Sequence, residues 1–216
     1  DAHGLAMLDR LFDDGAELAV LLVLEADIAG IDAIFRQSLR AGGMIGQQLA
    51  VRHPEKVLSL SLCDTASEMP TQAMWNDRIQ TAREKGIAGL VEGTIKRWFV
   101  SDFIAAEPET IAAVQRMILT TPLEGYIGCA SAVRDMSQTH LLKQITAPTQ
   151  VIVGRDDPAC TLAQSQVLQR EIAGANLHVI DDAAHLSNIE KPAVFTALLV
   201  DFIAAQAAAG SGIGRQ

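Results

Sequence analysis

Two stretches of the chain set carboxylates and an imidazole where a proton could be handed on. One reads Gly154-Arg155-Asp156-Asp157-Pro158, the other Asp181-Asp182-Ala183-Ala184-His185. Each directly follows a short, mostly apolar run, TQVIV at 149–153 and NLHVI at 176–180. If those runs are neighbouring parallel strands, their carboxyl ends bring Asp157 and His185 together. A carboxylate that holds an imidazole makes it a general base. A plainer role competes, since Asp-Asp-Pro is common turn chemistry and an aspartate there caps the following helix. Acyl transfer would need a third element, a nucleophile on a tight strand-to-helix turn of the G-x-S-x-G kind. Gly42-Gly43-Met44-Ile45-Gly46 supplies glycines of that kind ahead of a helix.

The elements around these loops follow from spacing. Residues 44–53 read as a helix stopped by Pro54, and 57–63 as a strand that ends in the loop Asp64-Thr65-Ala66-Ser67. Apolar residues then recur at three- and four-residue steps, predicting helices over 71–85, 87–100 and 108–119 and one or two more within 127–144. A strand at 149–153, a helix at 161–173, a strand at 176–180 and a helix at 193–206 opened by Pro192 complete the chain. This alternation predicts an α/β fold with a mostly parallel sheet. The helical block reads as an insertion over the carboxyl edge, where open α/β sheets hold their sites. The expected division is a partial core at 1–66, a helical cap at 67–145, a second core portion at 146–206 and a flexible tail at 207–216.

Composition narrows the function. The chain has 216 residues, enough for one domain with a modest insertion, and 17 Lys+Arg against 26 Asp+Glu give a net charge of −9. That balance argues against nucleic acid or an anionic membrane surface as partner. Hydrophobic content of 49% excludes a disordered chain, and 4% aromatic content excludes a stacking platform for single strands. The longest uncharged apolar run, 18–24, is too short to span a bilayer. No basic segment precedes an apolar one as in a secretory signal, so a cytoplasmic location is expected. Cys63, Cys129 and Cys160 form no CxxC and no spacing typical of zinc, so they read as small buried hydrophobes, and no metal or cofactor is expected.

The segments GGMIGQQLAVRHPEKV, GRDDPACT and DDAAHLSNIEKP resemble the α/β-hydrolase superfamily. The cap segments MWNDRIQTAREKG, GTIKRWF and TTPLEGYIGCASAVRDMS resemble its 3-oxoadipate enol-lactone hydrolase branch, from the β-ketoadipate pathway of aromatic compound catabolism. The resemblance runs over about residues 42–203. It implies a Ser-His-Asp hydrolase that opens a small-molecule lactone without a cofactor, with Asp157 as the orienting acid and His185 as the base. The family's serine stands two residues before the glycine pair, and that position here is Arg40, in the turn Ser38-Leu39-Arg40-Ala41-Gly42-Gly43. A guanidinium stays protonated and cannot be a nucleophile. Ser38 substitutes only if the turn is rebuilt by two residues. The backbone N–H of Ala41 would serve the oxyanion. By the same resemblance Trp98 and Arg97 line the lactone site, the arginine meeting a substrate carboxylate, with Arg134 as a second candidate. Against that, Trp98 and Phe99 would serve as cap core with Arg97 facing solvent.

His3-Gly4-Leu5 resembles the end of the family's RGHGLS loop, which follows the fourth strand, so the first four strands are expected to precede Asp1. Residues 6–41 match the family poorly. Within FRQSLR (35–40), skipping one nucleotide after the Phe35 codon allows F-V-S-L-S, close to the family's elbow, so a frameshift over 6–41 is one expectation that the gene sequence tests. A catalytically inactive binding module, with Arg40 filling the elbow, or a truncated gene product is the alternative. With the neighbouring strands missing, a strand near 32–37 would leave an open sheet edge and promote self-association.

Overall fold

The computed structural model describes residues 21–23, 41–69 and 71–211. Four strands form one parallel sheet in the order β1 (Leu21–Val23), β2 (Leu60–Cys63), β3 (Thr149–Gly154) and β4 (Asn176–Ile180). Leu62 of β2 stands beside Val151 of β3, and Gly154 of β3 beside Ile180 of β4, so three strand ends share one edge. Parallel strands covered on both faces need apolar or small residues throughout. Every residue of β2 and β3 is buried, whereas β4, an edge strand among the described residues, is half-buried along most of its length. β1 arises from the apolar run at 18–24; the strand expected near 32–37 lies outside the described residues.

The two-residue period of the strands sorts their side chains. Leu60, Leu62 and Val151 face a core with Leu49 of α1 (Ala41–Arg52) and Leu168 of α2 (Leu162–Glu171 in the chain after β3). Cys63 and Ile152 face the opposite core with Ile180, Phe195 and Leu199. The expected strand at 57–63 begins only at Leu60. Pro54–Lys56 form a short 3-10 turn, Leu58 is 58% exposed, and the chain joins the sheet where the Leu60 N–H meets the Pro148 carbonyl at 2.9 Å. Helix α1 starts at Ala41, earlier than the expected 44, and takes in both glycines. A Cβ on Gly43 would lie 2.5 Å from Thr65 Cβ, so the helix can approach the β2 loop this closely only with glycine there.

Between β2 and β3 the chain forms helices at Gln72–Lys85, Ala88–Trp98, Ser101–Ala106, Pro108–Leu119 and Leu123–Asp135 and a 3-10 segment at Thr139–Gln144. The single helix expected over 87–100 ends at Trp98. Phe99 is extended and buried, stacked on Phe103 at 5.3 Å among Ile95, Ile111 and Val114. After β4 come a short turn of helix at Ser187–Glu190 and a last helix at Pro192–Ser211. The flexible tail expected from 207 is therefore corrected: 207–211 are helical, because the alanines at 204, 205 and 207–209 carry the strongest helix propensity. No helix among the described residues is long and apolar enough to cross a membrane.

Candidate active site

The loops after β3 and β4 meet as the sequence predicts. His185 Nδ1 lies 2.7 Å from Asp157 Oδ2, and both side chains are fully buried. The other carboxylate oxygen, Asp157 Oδ1, accepts the N–H groups of Ala159 and Cys160 at 2.6 and 2.9 Å. The aspartate thus closes its own turn and orients the imidazole. The turn reading holds through Oδ1, Oδ2 faces the imidazole, and the following helix is capped by Thr161 rather than by Asp157.

Gly154 sets the distance between the loops. A Cβ there would fall 2.5 Å from the Ala183 carbonyl oxygen and also collide with that of Ala184, so only glycine lets the histidine loop pass. Arg155 N–H to the Ile180 carbonyl and Asp156 N–H to the Ala183 carbonyl, both at 2.9 Å, continue the seam. Gly154→Ala is expected to destabilise the protein by about 2–3 kcal/mol, because the obstruction is backbone that cannot rotate away. A denaturant midpoint within error of the native one would contradict this packing.

A second buried acid, Asp64, sits at the end of β2 in the left-handed region at φ +45°. Its Oδ1 accepts the Gly154 N–H at 2.8 Å and its Oδ2 meets the Ser187 hydroxyl at 2.5 Å. It therefore joins the strand end before Asp157 to the turn after His185. Burial drives its pKa well above the usual 3.8, with the nearby Asp157 charge adding to the rise and the Ser187 and Gly154 hydrogen bonds opposing it. A raised folded-state value means stability that is complete below the ordinary carboxyl range and is lost as pH climbs through the raised value. Asp64→Asn keeps an acceptor for Gly154 and a donor for Ser187 but cannot ionise. Its melting temperature is expected to gain on the native protein as pH rises from the ordinary carboxyl range through the raised value. A gap that stays constant with pH would contradict it.

The residues on either side of His185 are tied to the helical insertion. The Leu186 N–H donates to the Trp98 carbonyl at 3.0 Å. Glu190 accepts the Ala184 N–H at 2.5 Å and the Val100 N–H at 2.7 Å; burial raises its pKa while these bonds oppose the rise. Trp98 is half-buried, its ring 6.4 Å from that of His185 and tilted by 38°. The structure thus brings Trp98 to the pair. Arg97 is half-exposed, with its guanidinium over Gly93 of its own helix. Arg134 turns its fork to Asp135 and reaches Asn76 at 2.9 Å. Arg40 and Ser38 lie outside the described residues, and Ala41 opens α1.

Cys160 is a neighbour that spacing did not reveal. Its sulfur and ligand atoms of Asp157 and His185 lie within 4.8 Å of one another, all buried. Thiolate, imidazole and carboxylate are zinc-ligand types. Here, however, both Asp157 oxygens are already engaged by Ala159, Cys160 and His185, so a cation would have to break the pair to enter. The arrangement handles a proton as it stands.

A parallel sheet whose adjacent strand ends carry a buried Asp–His pair, with a helical insertion above them, defines a class. The chain belongs to the α/β-hydrolase fold family, whose model matches residues 41–192. Among curated proteins it is 32% identical over 154 residues to 3-oxoadipate enol-lactonase 2 of Acinetobacter baylyi, covering 71% of this chain and 57% of that one. It is 27% identical over 222 residues to a pimeloyl-[acyl-carrier protein] methyl ester esterase of Neisseria meningitidis, covering 93% and 79%. Among solved structures, the enol-lactonase from Burkholderia xenovorans LB400 superposes with a TM-score of 0.74 at 34% identity, over 76% of this chain and 63% of that one. The chain therefore spans less than two thirds of the enol-lactonases it matches.

Proposed function

We propose that the chain carries the acid–base half of a carboxylic-ester hydrolase that opens 3-oxoadipate enol-lactone, and that its nucleophile position is occupied by Arg40. The observation that carries this reading is the buried 2.7 Å contact between Asp157 Oδ2 and His185 Nδ1 at adjacent strand ends. The substrate assignment rests on likeness to enol-lactonases in the cap segments as well as the core. In the reaction a serine oxygen attacks the lactone carbonyl and its proton passes to His185 Nε2. Asp157 holds Nδ1–H and offsets the charge of the imidazolium, while backbone N–H groups at the start of the first helix, Ala41 among them, stabilise the oxyanion. The imidazolium then gives its proton to the departing ring oxygen, and water clears the acyl group by the same route in reverse.

With arginine, which cannot act as a nucleophile, at the family's serine position, the native chain is expected to be close to silent. The experiment is hydrolysis of 3-oxoadipate enol-lactone by the native chain, by Arg40→Ser and by Ser38→Ala. Activity only in Arg40→Ser supports the reading. Activity of the native chain that vanishes in Ser38→Ala moves the nucleophile to Ser38. Silence of every variant leaves a binding role or an incomplete protein. Self-association belongs to the same picture, since β1 is an edge of the sheet among the described residues.

A further inference from the structure

We propose that Glu190 is a positioning residue for His185: its two carboxylate oxygens clasp the histidine loop to the break in the helical insertion, so that the insertion and the imidazole move as one. Calling His185 the base rests on the hydrolase reading above; the clasp itself does not. Glu190 ends the turn of helix Ser187–Glu190, which starts two residues past His185. The N–H groups of Ile189 and Glu190 return to the Leu186 carbonyl at 2.9 and 3.0 Å. One wrap of chain thus brings the Glu190 side chain back to the residue before the histidine. Its Oε2 accepts the Ala184 N–H at 2.5 Å, which closes a ring from 184 to 190 with His185 inside it.

The other oxygen leaves the ring. Oε1 accepts the Val100 N–H at 2.7 Å, from a residue 90 positions away. Val100 stands where the insertion breaks, between the helices Ala88–Trp98 and Ser101–Ala106. As the residue that caps the second of these, it has no helical carbonyl for its N–H. A second tie lies beside this one, since the Leu186 N–H donates to the Trp98 carbonyl at 3.0 Å. Both amides that flank His185 are therefore held, Ala184 by Glu190 and Leu186 by the insertion, and Glu190 joins the two holds.

The chemistry of the side chain fits this role closely. Glu190 is 7% exposed, and a buried acid is costly unless its oxygens are engaged. Two N–H donors meet two oxygens that carry no hydrogen, which is what an ionised carboxylate offers. Glutamine has the same size but one oxygen and one NH2, so it can satisfy one N–H and must oppose the other. The consequence for His185 is positional. Its contact with Asp157 is 2.7 Å, and a misplacement of about 1 Å in a catalytic site can cost about 10²-fold.

The test compares the native chain, Glu190→Gln and Val100→Pro by amide hydrogen exchange, by the NMR resonance of the His185 Nδ1 proton and by melting. Val100→Pro deletes only the insertion's donor. Val100 already sits at φ −68°, and Phe99 before it is extended at φ −133° and ψ 147°, as a proline and its predecessor require. In Glu190→Gln, exchange at Ala184 or Val100 is expected to speed up about tenfold or more, the worth of a hydrogen bond to a charged group. In both variants the Nδ1 resonance is expected to shift or broaden, although Val100→Pro alters no residue of the histidine loop. A side chain that merely fills space would be replaced by glutamine without loss. Native exchange at both amides in Glu190→Gln overturns the proposal, and so does an unchanged Nδ1 resonance in Val100→Pro. Should Glu190→Gln fail to fold, Val100→Pro still gives the answer. In the Arg40→Ser background each change is expected to lower kcat about tenfold or more, with KM moved less. An active Arg40→Ser protein whose kcat is indifferent to both changes sinks the clasp and leaves the hydrolase reading intact. Exchange and resonance need no turnover, so they test the clasp whether or not Arg40→Ser is active.

Discussion

Arg40→Ser is expected to raise lactone hydrolysis about 10²-fold or more over the native chain, the lower end of what a positioned general base contributes. The gain is large because the rest of the proton path is already built. Asp157 and His185 are in contact at 2.7 Å, Asp157 Oδ1 is locked by two backbone N–H groups, and the flanks of His185 are pinned to Trp98 and Glu190. An oxyanion donor of the kind proposed for Ala41 would be worth about 10²–10³ in kcat. Initial rates on 3-oxoadipate enol-lactone and on an activated acetate ester check the expectation. A serine variant no faster than the native chain means that residue 40 does not stand where the imidazole can reach it.

In the Arg40→Ser background, Asp157→Asn is expected to lower kcat about 10³- to 10⁴-fold with little change in KM, the size of effect met when the orienting carboxylate of a Ser-His-Asp site becomes an amide. The direction follows from the hydrogen bonds. Oδ1 accepts from Ala159 and Cys160, so the amide oxygen must stay on that side. The amide nitrogen then faces His185 Nδ1 and donates to it. That fixes the proton on Nε2, the tautomer that cannot accept from a serine. Size and packing are conserved, so the melt should shift far less than the rate. Rates and melts of the two serine-bearing proteins side by side check this; an equal kcat would mean that His185 is oriented by something other than Asp157.

The legible parts of the sequence were those written in local chemistry. The strand at 176–180 emerges with the expected bounds, since NLHVI is a short apolar run followed by a tight acidic turn. Asp157 and His185 were legible because each directly follows such a strand. What stayed hidden depends on residues far apart in the chain. Asp64 reaches Gly154 and Ser187 across 90 and 123 positions, and no spacing rule spans that. Cys160 comes to His185 only because two parallel strand ends are neighbours. The break after Trp98 arises because Phe99 is drawn into the core of the insertion and the Val100 N–H is taken by Glu190. Arg97, named with Trp98 by resemblance, does not share its face, because consecutive helix residues do not point the same way.

The most direct test of the central claim is covalent labelling by a fluorophosphonate, read by peptide mass spectrometry. The serine oxygen attacks phosphorus and fluoride leaves, so the adduct marks an activated hydroxyl whatever the substrate. The account predicts an adduct on the peptide holding residue 40 in Arg40→Ser, and none there in the native chain or in Arg40→Ser combined with His185→Ala. An unlabelled Arg40→Ser protein, or labelling that persists without His185, would contradict it.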